Sequence, residues 1–211
     1  MNIEIPEVTR YAEAFTTPES ELLHRINRDT HADVRMPRML SGHLQGRFLA
    51  MVSAMIRPLS ILEIGTYTGY SALCLADGLA PTGRLITIDI NDELESRVRN
   101  YFAQSPLNDR IELIIGDARQ VIPGLPGPFD LVWIDADKEG YVRYFDLVID
   151  KVRPGGFLLA DNVLWSGKVL EPEPDKDTRA IRRFTEKVRN DPRVHCMLLP
   201  LRDGILLMQR I

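Results

Sequence analysis

The chain has 211 residues, 45% of them hydrophobic, enough for one sizeable core and a better fit to one large α/β domain than to two small ones. A formal net charge of −4 provides no global attraction to nucleic acid or to an anionic membrane. No apolar run reaches the length of a bilayer span, and the amino-terminal MNIEIPEVTRYAEAF lacks the basic-then-apolar pattern of a secretion signal, so a soluble, cytoplasmic chain is expected. Cys74 and Cys196 match no disulfide or zinc spacing and are expected in the core of a protein from a reducing compartment. His24, His31, His43 and His195 are scattered, which argues against a histidine metal site.

In chain order, Pro18 to Val34 and Gly42 to Arg57 read as two helices. They suit a helical cover over residues 1–58, in front of a core over residues 59–211 within a single domain. Apolar runs then alternate with amphipathic helical patterns, as in a parallel sheet covered on both faces. The expected strands are Ser60 to Ile64, Arg84 to Ile90, Ile111 to Ile115, Phe129 to Asp135, Gly156 to Asp161, Val194 to Pro200 and Ile205 to Arg210. Asp92 and Glu95 have capping-box spacing ahead of an apolar stripe of Leu94, Val98, Tyr101 and Phe102. A second stripe, Tyr141, Val142, Phe145, Val148 and Ile149, ends at RPGG (Arg153 to Gly156), which is expected to stop that helix and turn into the next strand. LEPEPDKD (Leu170 to Asp177) reads as a loop that could rim a substrate entrance. The last two strands are joined by Leu201 to Gly204, too few residues for a crossover helix, so they form an antiparallel hairpin with Asp203 and Gly204 as the turn signal. The fold class is therefore α/β: a Rossmann-like, doubly wound, seven-stranded sheet, mostly parallel, with an antiparallel carboxyl-terminal hairpin and helices on both faces.

Two places along this sheet carry chemistry. LEIGTYTGYS (Leu62 to Ser71) runs a strand into a glycine turn and then a helix, exposing backbone N–H groups at the crevice. Two residues after Gly65, where a dinucleotide fingerprint has a second glycine, stands Tyr67, which argues for a ligand without pyrophosphate. Glu63 would repel phosphates and suit an ammonium or sulfonium, and Asp89, ending the second strand, is placed to take both hydroxyls of a ribose. Adenosine without phosphates and with a positive tail describes S-adenosylmethionine. The other place is DLVWIDADKEGY (Asp130 to Tyr141) with LLADNVLW (Leu158 to Trp165). Asp135, Asp161 and Asn162 would meet at the carboxyl ends of two strands, a hard-oxygen set suited to Mg²⁺, Mn²⁺ or Ca²⁺ rather than zinc. The alternative is that these residues only cap helices.

From about Met39 to the carboxyl terminus, these motifs in this order resemble the class I S-adenosylmethionine-dependent methyltransferases. Within them they resemble the cation-dependent O-methyltransferases typified by caffeoyl-CoA and catechol O-methyltransferases: LEIGTYTGYS, TIDI (Thr87 to Ile90), GDA (Gly116 to Ala118), IDADK and ADN are the segments that match. The resemblance implies that Glu63, Gly65, Thr66, Tyr67 and Ser71 line the methionine end of the cofactor, that Asp89 holds its ribose, and that Asp117 and Ala118 flank its adenine. It further implies cofactor contacts at Met39, Ser41 and Asp135, a divalent cation, Mg²⁺ first, on Asp135, Asp161 and Asn162, and a homodimer. In MLSGHLQGRFL (Met39 to Leu49) the chain departs from the pattern, with Gln45 where related sequences often carry an acid, which puts a polar role at that position in doubt.

A phenolic or enolic hydroxyl has a pKa near 10 and is a poor nucleophile at neutral pH; a dication would lower it, and Lys138, beside that cation, would accept the proton. The leading acceptor is a catechol-like or caffeoyl-like small molecule. The alternative within the same family is the wobble 5-hydroxyuridine of tRNA, favoured by Arg35, Arg38 and Arg47 and by Arg179, Arg182, Arg183, Lys187 and Arg189. A dinucleotide-dependent oxidoreductase is opposed by Tyr67, and a noncatalytic nucleotide-binding module by the joint presence of Asp135, Lys138, Asp161 and Asn162.

Overall fold

A computed structural model describes residues 6–211; residues 1–5, part of the expected cover, lie outside the described residues. The elements in chain order are α1 (Pro6–Ala14), α2 (Glu21–Asp33), α3 (Gly42–Ile56), β1 (Ser60–Ile64), α4 (Tyr70–Ala76), β2 (Arg84–Asp89), α5 (Glu95–Phe102) and β3 (Ile111–Ile115). They continue with α6 (Ala118–Val121), β4 (Phe129–Ile134), α7 (Tyr141–Val148), β5 (Val152–Ala160), α8 (Lys176–Arg189), β6 (Val194–Leu199) and β7 (Ile205–Arg210). One seven-stranded sheet has the order β3-β2-β1-β4-β5-β7-β6. β1 to β5 pair in parallel, whereas β7 runs antiparallel to both β5 and β6.

Both faces of the central strands are buried, and alternate residues serve two separate cores. Leu62, Ile64, Val132 and Ile134 pack with Tyr141, Phe145, Ile181 and Phe184 on the face of α7 and α8. Ile61, Leu131 and Trp133 pack with Leu49, Tyr70, Leu75 and Phe102 on the face of α3, α4 and α5. This two-sided burial is why these strands read as continuous apolar runs. The order of the strands reverses between β1 and β4, so the connections leave their carboxyl ends in opposite directions and open a crevice there.

Several local expectations are corrected. β2, β4, β5 and β6 each stop one residue earlier than expected, which frees Asp135 and Asp161 from the strands and leaves Asp89 as the last residue of β2. RPGG does not stop α7. It lies inside β5, in a bulge between the pairs Phe129↔Val152 and Leu131↔Phe157, with Gly155 at φ 73°. The Asp92/Glu95 capping box does not form: Asn91 accepts from the Glu93 N–H at 3.0 Å, a short 3₁₀ turn follows, and Glu95 pairs instead with Arg99. In the β6–β7 connection the Gly204 N–H closes on the Leu201 carbonyl at 2.9 Å, so Arg202 and Asp203 are the central turn residues. Cys74 is buried as expected, but Cys196 is exposed, because β6 is the edge strand and His195 to Leu198 have no layer over them. The helix α1 was not anticipated; it buries none of its residues and has no strong apolar signature to read.

Gly65 ties the two halves of the crevice together. Its φ is 103°, and a Cβ there would stand 2.1 Å from the Asp135 carbonyl oxygen, a backbone atom that cannot yield without opening β1 from β4. Gly65→Ala is expected to lower the unfolding free energy by about 3 kcal/mol or more, or to prevent folding. Denaturant titration checks this, and a loss below about 1 kcal/mol would contradict it.

Candidate active site

The first half of the site is built by the turn after β1. The Gly65 N–H donates to the Ile88 carbonyl at 2.9 Å, which locks the turn against the end of β2. Tyr67 adopts φ 49°; its N–H donates to Asp89 Oδ2 at 2.7 Å and its hydroxyl to the carbonyls of Arg35 at 2.9 Å and Met36 at 3.2 Å. Tyr67 is thus a strut between the glycine turn and the segment ahead of α3. Asp89 Oδ1 accepts from the Asn91 N–H at 2.9 Å, and the Gly116 N–H donates to the Asp89 carbonyl at 2.8 Å, so the GDA segment adjoins the end of β2. Asp117 caps α6 and pairs with Arg119 at 2.8 Å, which draws its carboxylate toward its own helix; Ala118 is buried beside it. Ser41 and Ser71 are buried, and Met39 is more than half exposed.

Glu63 is the least solvated carboxylate in this half of the site. It is fully buried; Oε2 accepts from Thr87 Oγ1 at 2.5 Å, the Thr87 hydroxyl meets that of Thr66 at 2.5 Å, and Oε1 has no partner in hydrogen-bond geometry. Burial pushes its pKa from the ordinary 4.5 up to about 8, against the lowering effect of the Ser71 and Thr87 hydroxyls.

The second half gathers at the ends of β4 and β5. The Asp135 N–H donates to the Ile64 carbonyl at 2.8 Å and the Asp161 N–H to the Ile134 carbonyl at 3.0 Å, which staggers the two acids along adjacent strand ends. Lys138 Nζ donates to Asn162 Oδ1 at 2.6 Å, to Tyr141 Oη at 2.7 Å and to Asp135 Oδ1 at 3.1 Å. It lies 4.8 Å from the centre of the Tyr141 ring and 5.8 Å from that of Trp165, so aromatic surface closes around the ammonium. Asp161 is buried; its Oδ1 accepts from the Asn162 N–H at 2.8 Å and its Oδ2 from Gln45 Nε2 at 2.7 Å. Desolvation raises the Asp161 pKa, Asp135 adds to the rise, and Gln45, Lys138 and the Asn162 N–H oppose it. Among the described residues no three His, Cys, Asp or Glu side chains converge as metal ligands; the expected set is two carboxylates and one amide. Two of its donor atoms already converge on a cation, the Lys138 ammonium, so the oxygens fit a positive ion.

The sequence of this chain matches a family model described as O-methyltransferase over residues 13–211. The chain belongs to the O-methyltransferase family. It is 36% identical over 158 residues to a catechol O-methyltransferase of Mycobacterium tuberculosis, covering 74% of this chain and 72% of that protein. It is 33% identical over 180 residues to caffeoyl-CoA O-methyltransferase 1 of Eucalyptus globulus, covering 79% and 73%. The crystal structure of an O-methyltransferase from Bacillus cereus in complex with SAH superposes with a TM-score of 0.89 at 30% identity, covering 97% of each chain.

Four polar residues of this O-methyltransferase escape sequence reasoning. Tyr141 reads as part of an apolar stripe and is fully buried, yet its hydroxyl accepts from Lys138 and donates to the Asp161 carbonyl at 3.1 Å. Gln45, at a position whose polar role the sequence puts in doubt, is fully buried against Asp161. Its second partner is Arg202, at 2.9 Å. Asp203, beside Arg202, carries the loop after β5: its carbonyl accepts from the Leu164 N–H at 2.8 Å and its carboxylate from the Ser166 N–H. That loop needs the support, since Asn162, Trp165, Ser166 and Gly167 all have positive φ. The only cue to Arg202 and Asp203 in sequence is the turn itself. A cavity of about 460 Å³ beside Lys138 is lined by Arg119, Asp137, Glu139, Arg143 and Asp177, which brings the end of the LEPEPDKD segment to its rim. A larger hollow of about 1000 Å³ between α2, α3 and α4 is lined by none of the expected site residues.

Glu63 sets a pH dependence in the ligand-free protein. Between pH 4.5 and about 8 the folded state holds a proton that the unfolded state has released, so stability falls as pH rises, by roughly 1.4 kcal/mol per unit, and levels off above that window. Glu63→Gln is expected to flatten this component; parallel stability profiles of the two proteins from pH 5 to 9 would contradict the assignment.

Proposed function

We propose that the protein transfers the methyl group of S-adenosylmethionine to a hydroxyl of a catechol-like or caffeoyl-like small molecule, assisted by a divalent cation, Mg²⁺ before Mn²⁺ or Ca²⁺. The observation that carries this reading is the convergence of Asp135 Oδ1 and Asn162 Oδ1 on the Lys138 ammonium, an oxygen set that favours a positive ion. Asp135, Asp161 and Asn162 would hold the dication. When bound, it supplies a lower pKa at the acceptor hydroxyl and a fixed direction for that oxygen. S-adenosylmethionine supplies the activated methyl group.

The protein's own groups do the rest. Glu63, fully buried with Oε1 outside strict hydrogen-bond geometry, suits the cationic end of the cofactor, and Asp89 at the end of β2 suits a ribose diol. In the ligand-free site Lys138 is an ammonium with three acceptors, so it would first release one proton to solvent, and as the neutral amine it would then take the acceptor proton at Nζ. Tyr141 and Trp165 keep the surroundings of Nζ poor in water, which favours a step in which an anionic oxygen and a cationic sulfur lose their charges together. The tRNA reading has less support than it has in sequence. Arg47, Arg179 and Arg182 spend guanidinium N–H groups on nearby backbone carbonyls, and Lys187 pairs with Asp146, so of the eight cations Arg35, Arg38, Arg183 and Arg189 are the exposed ones left.

Labelled S-adenosylmethionine incubated with catechol or caffeoyl acceptors should give Mg²⁺-dependent product that a chelator abolishes; an unchanged rate in chelator would remove the cation from the reaction, and label appearing only in tRNA would overturn the acceptor class. Lys138→Ala is expected to lower kcat by roughly 100-fold or more while S-adenosylmethionine affinity holds. Turnover at the wild-type rate would reduce Lys138 to a counter-ion.

A further inference from the structure

Asp161 is the one expected cation ligand whose carboxylate does not touch Lys138, and its orientation is set elsewhere. One oxygen is fixed by the N–H of the next residue, Asn162, at 2.8 Å, and the other by Gln45 Nε2 at 2.7 Å. Gln45 is fully buried on the first turn of α3, so its amide cannot exchange these partners for water. On its other side stands Arg202 Nη1, 2.9 Å from Gln45 Oε1. The amide therefore lies between a carboxylate oxygen of Asp161, which accepts from its NH₂, and a guanidinium, which only donates. Only one of its two orientations satisfies both neighbours; the flipped amide would face oxygen to oxygen at Asp161 and NH₂ to NH at Arg202. Arg202 is delivered by the β6–β7 turn with φ 50°, and its Nη1 also donates to the carbonyls of Leu40, at 3.2 Å, and Ser41. The guanidinium is thus anchored on the backbone leading into α3 and cannot follow Gln45 if the amide rotates.

We infer that Gln45 is the positioning residue for Asp161, and that Arg202 acts in series behind it by fixing the orientation of the Gln45 amide. This rests on the proposed role of Asp161 as a cation ligand. With two donors on different oxygens, the carboxylate plane is settled before any cation arrives, and the remaining lone pairs are presented to it without a rotamer search. Groups that orient a ligand in this way typically change metal affinity by about 10- to 100-fold when removed. The acid often found in related sequences at the position of Gln45 could not do this here without placing a second carboxylate against Asp161.

The test is Mn²⁺ affinity, read from the loss of the free-ion electron paramagnetic resonance signal, in the absence of cofactor and acceptor. The proteins are the wild type, Gln45→Met, Arg202→Met and the double variant, with S-adenosylhomocysteine affinity measured by calorimetry on each as a check on the fold. Gln45→Met should weaken Mn²⁺ by about 10-fold or more while S-adenosylhomocysteine affinity stays within about twofold. Arg202→Met should weaken Mn²⁺ by a smaller factor, and the double variant should be no weaker than Gln45→Met, because the two residues act in series. Wild-type affinity in Gln45→Met would overturn the inference while leaving the cation reading intact. Additive losses in the double variant would overturn the part assigned to Arg202. Failure of the wild type to bind Mn²⁺ would overturn both the inference and the cation reading. Should Gln45→Met not fold, Gln45→Leu and Arg202→Met carry the same comparison.

Discussion

An ammonium enclosed by two side-chain oxygens, the phenol of Tyr141 and the indole of Trp165 is the interaction around which the site is arranged. Lys138 keeps only 10% of its side-chain surface exposed, and Asp135, its ionic partner, 19%. A charge so poorly hydrated needs its partners at hydrogen-bond distance, and all three of them, Asp135, Tyr141 and Asn162, are supplied within a short reach of two adjacent strand ends. Removing any one would leave the others with uncompensated polarity. Two of these oxygens, from Asp135 and Asn162, are among those a dication would use, so the protein at rest already balances part of the electrostatics that its proposed reaction requires.

The sheet makes this balance possible. Asp135 and Asp161 are the first residues beyond β4 and β5, and Glu63 lies one residue short of the end of β1, where the strand order reverses. Gly65 lets the β1 turn approach the Asp135 carbonyl more closely than any side chain would allow, which brings the Glu63 half and the Lys138 half of the crevice against each other. The carboxyl-terminal hairpin closes the back. Its turn sends Arg202 toward α3 and Asp203 toward the loop after β5, so an element far along the chain braces both walls. The antiparallel addition to an otherwise parallel sheet is therefore part of the site and not merely an edge.

Much of this was legible in the sequence where burial follows from periodicity. The seven strands, the hairpin and the stripes on α5 and α7 all come from apolar runs that must be covered on one or both faces. The placement of Asp135, Asp161 and Asn162 at adjacent strand ends was legible because each follows an apolar run that had to be a buried parallel strand. The losses have a common cause. RPGG looks like a helix stop until the bulge opposite Asp130 is seen, and Cys196 looks like core until β6 proves to be the uncovered edge. Tyr141 sits in an apolar stripe that hides its hydroxyl, and the partners of Gln45 are distant in sequence: Gln45 and Asp161 are 116 residues apart, Gln45 and Arg202 157. Spacing along the chain cannot report pairs that only the closed sheet creates.

The central claim is that the oxygens now gathered on Lys138 are a divalent-cation site. Crystals grown with Mn²⁺ and S-adenosylhomocysteine, measured at the manganese absorption edge, test it directly. The account predicts an anomalous peak bonded to side-chain oxygens of Asp135, Asp161 and Asn162, with Lys138 Nζ moved off Asn162 Oδ1. A map with no peak there and with Lys138 still hydrogen-bonded to Asp135 and Asn162 would contradict it.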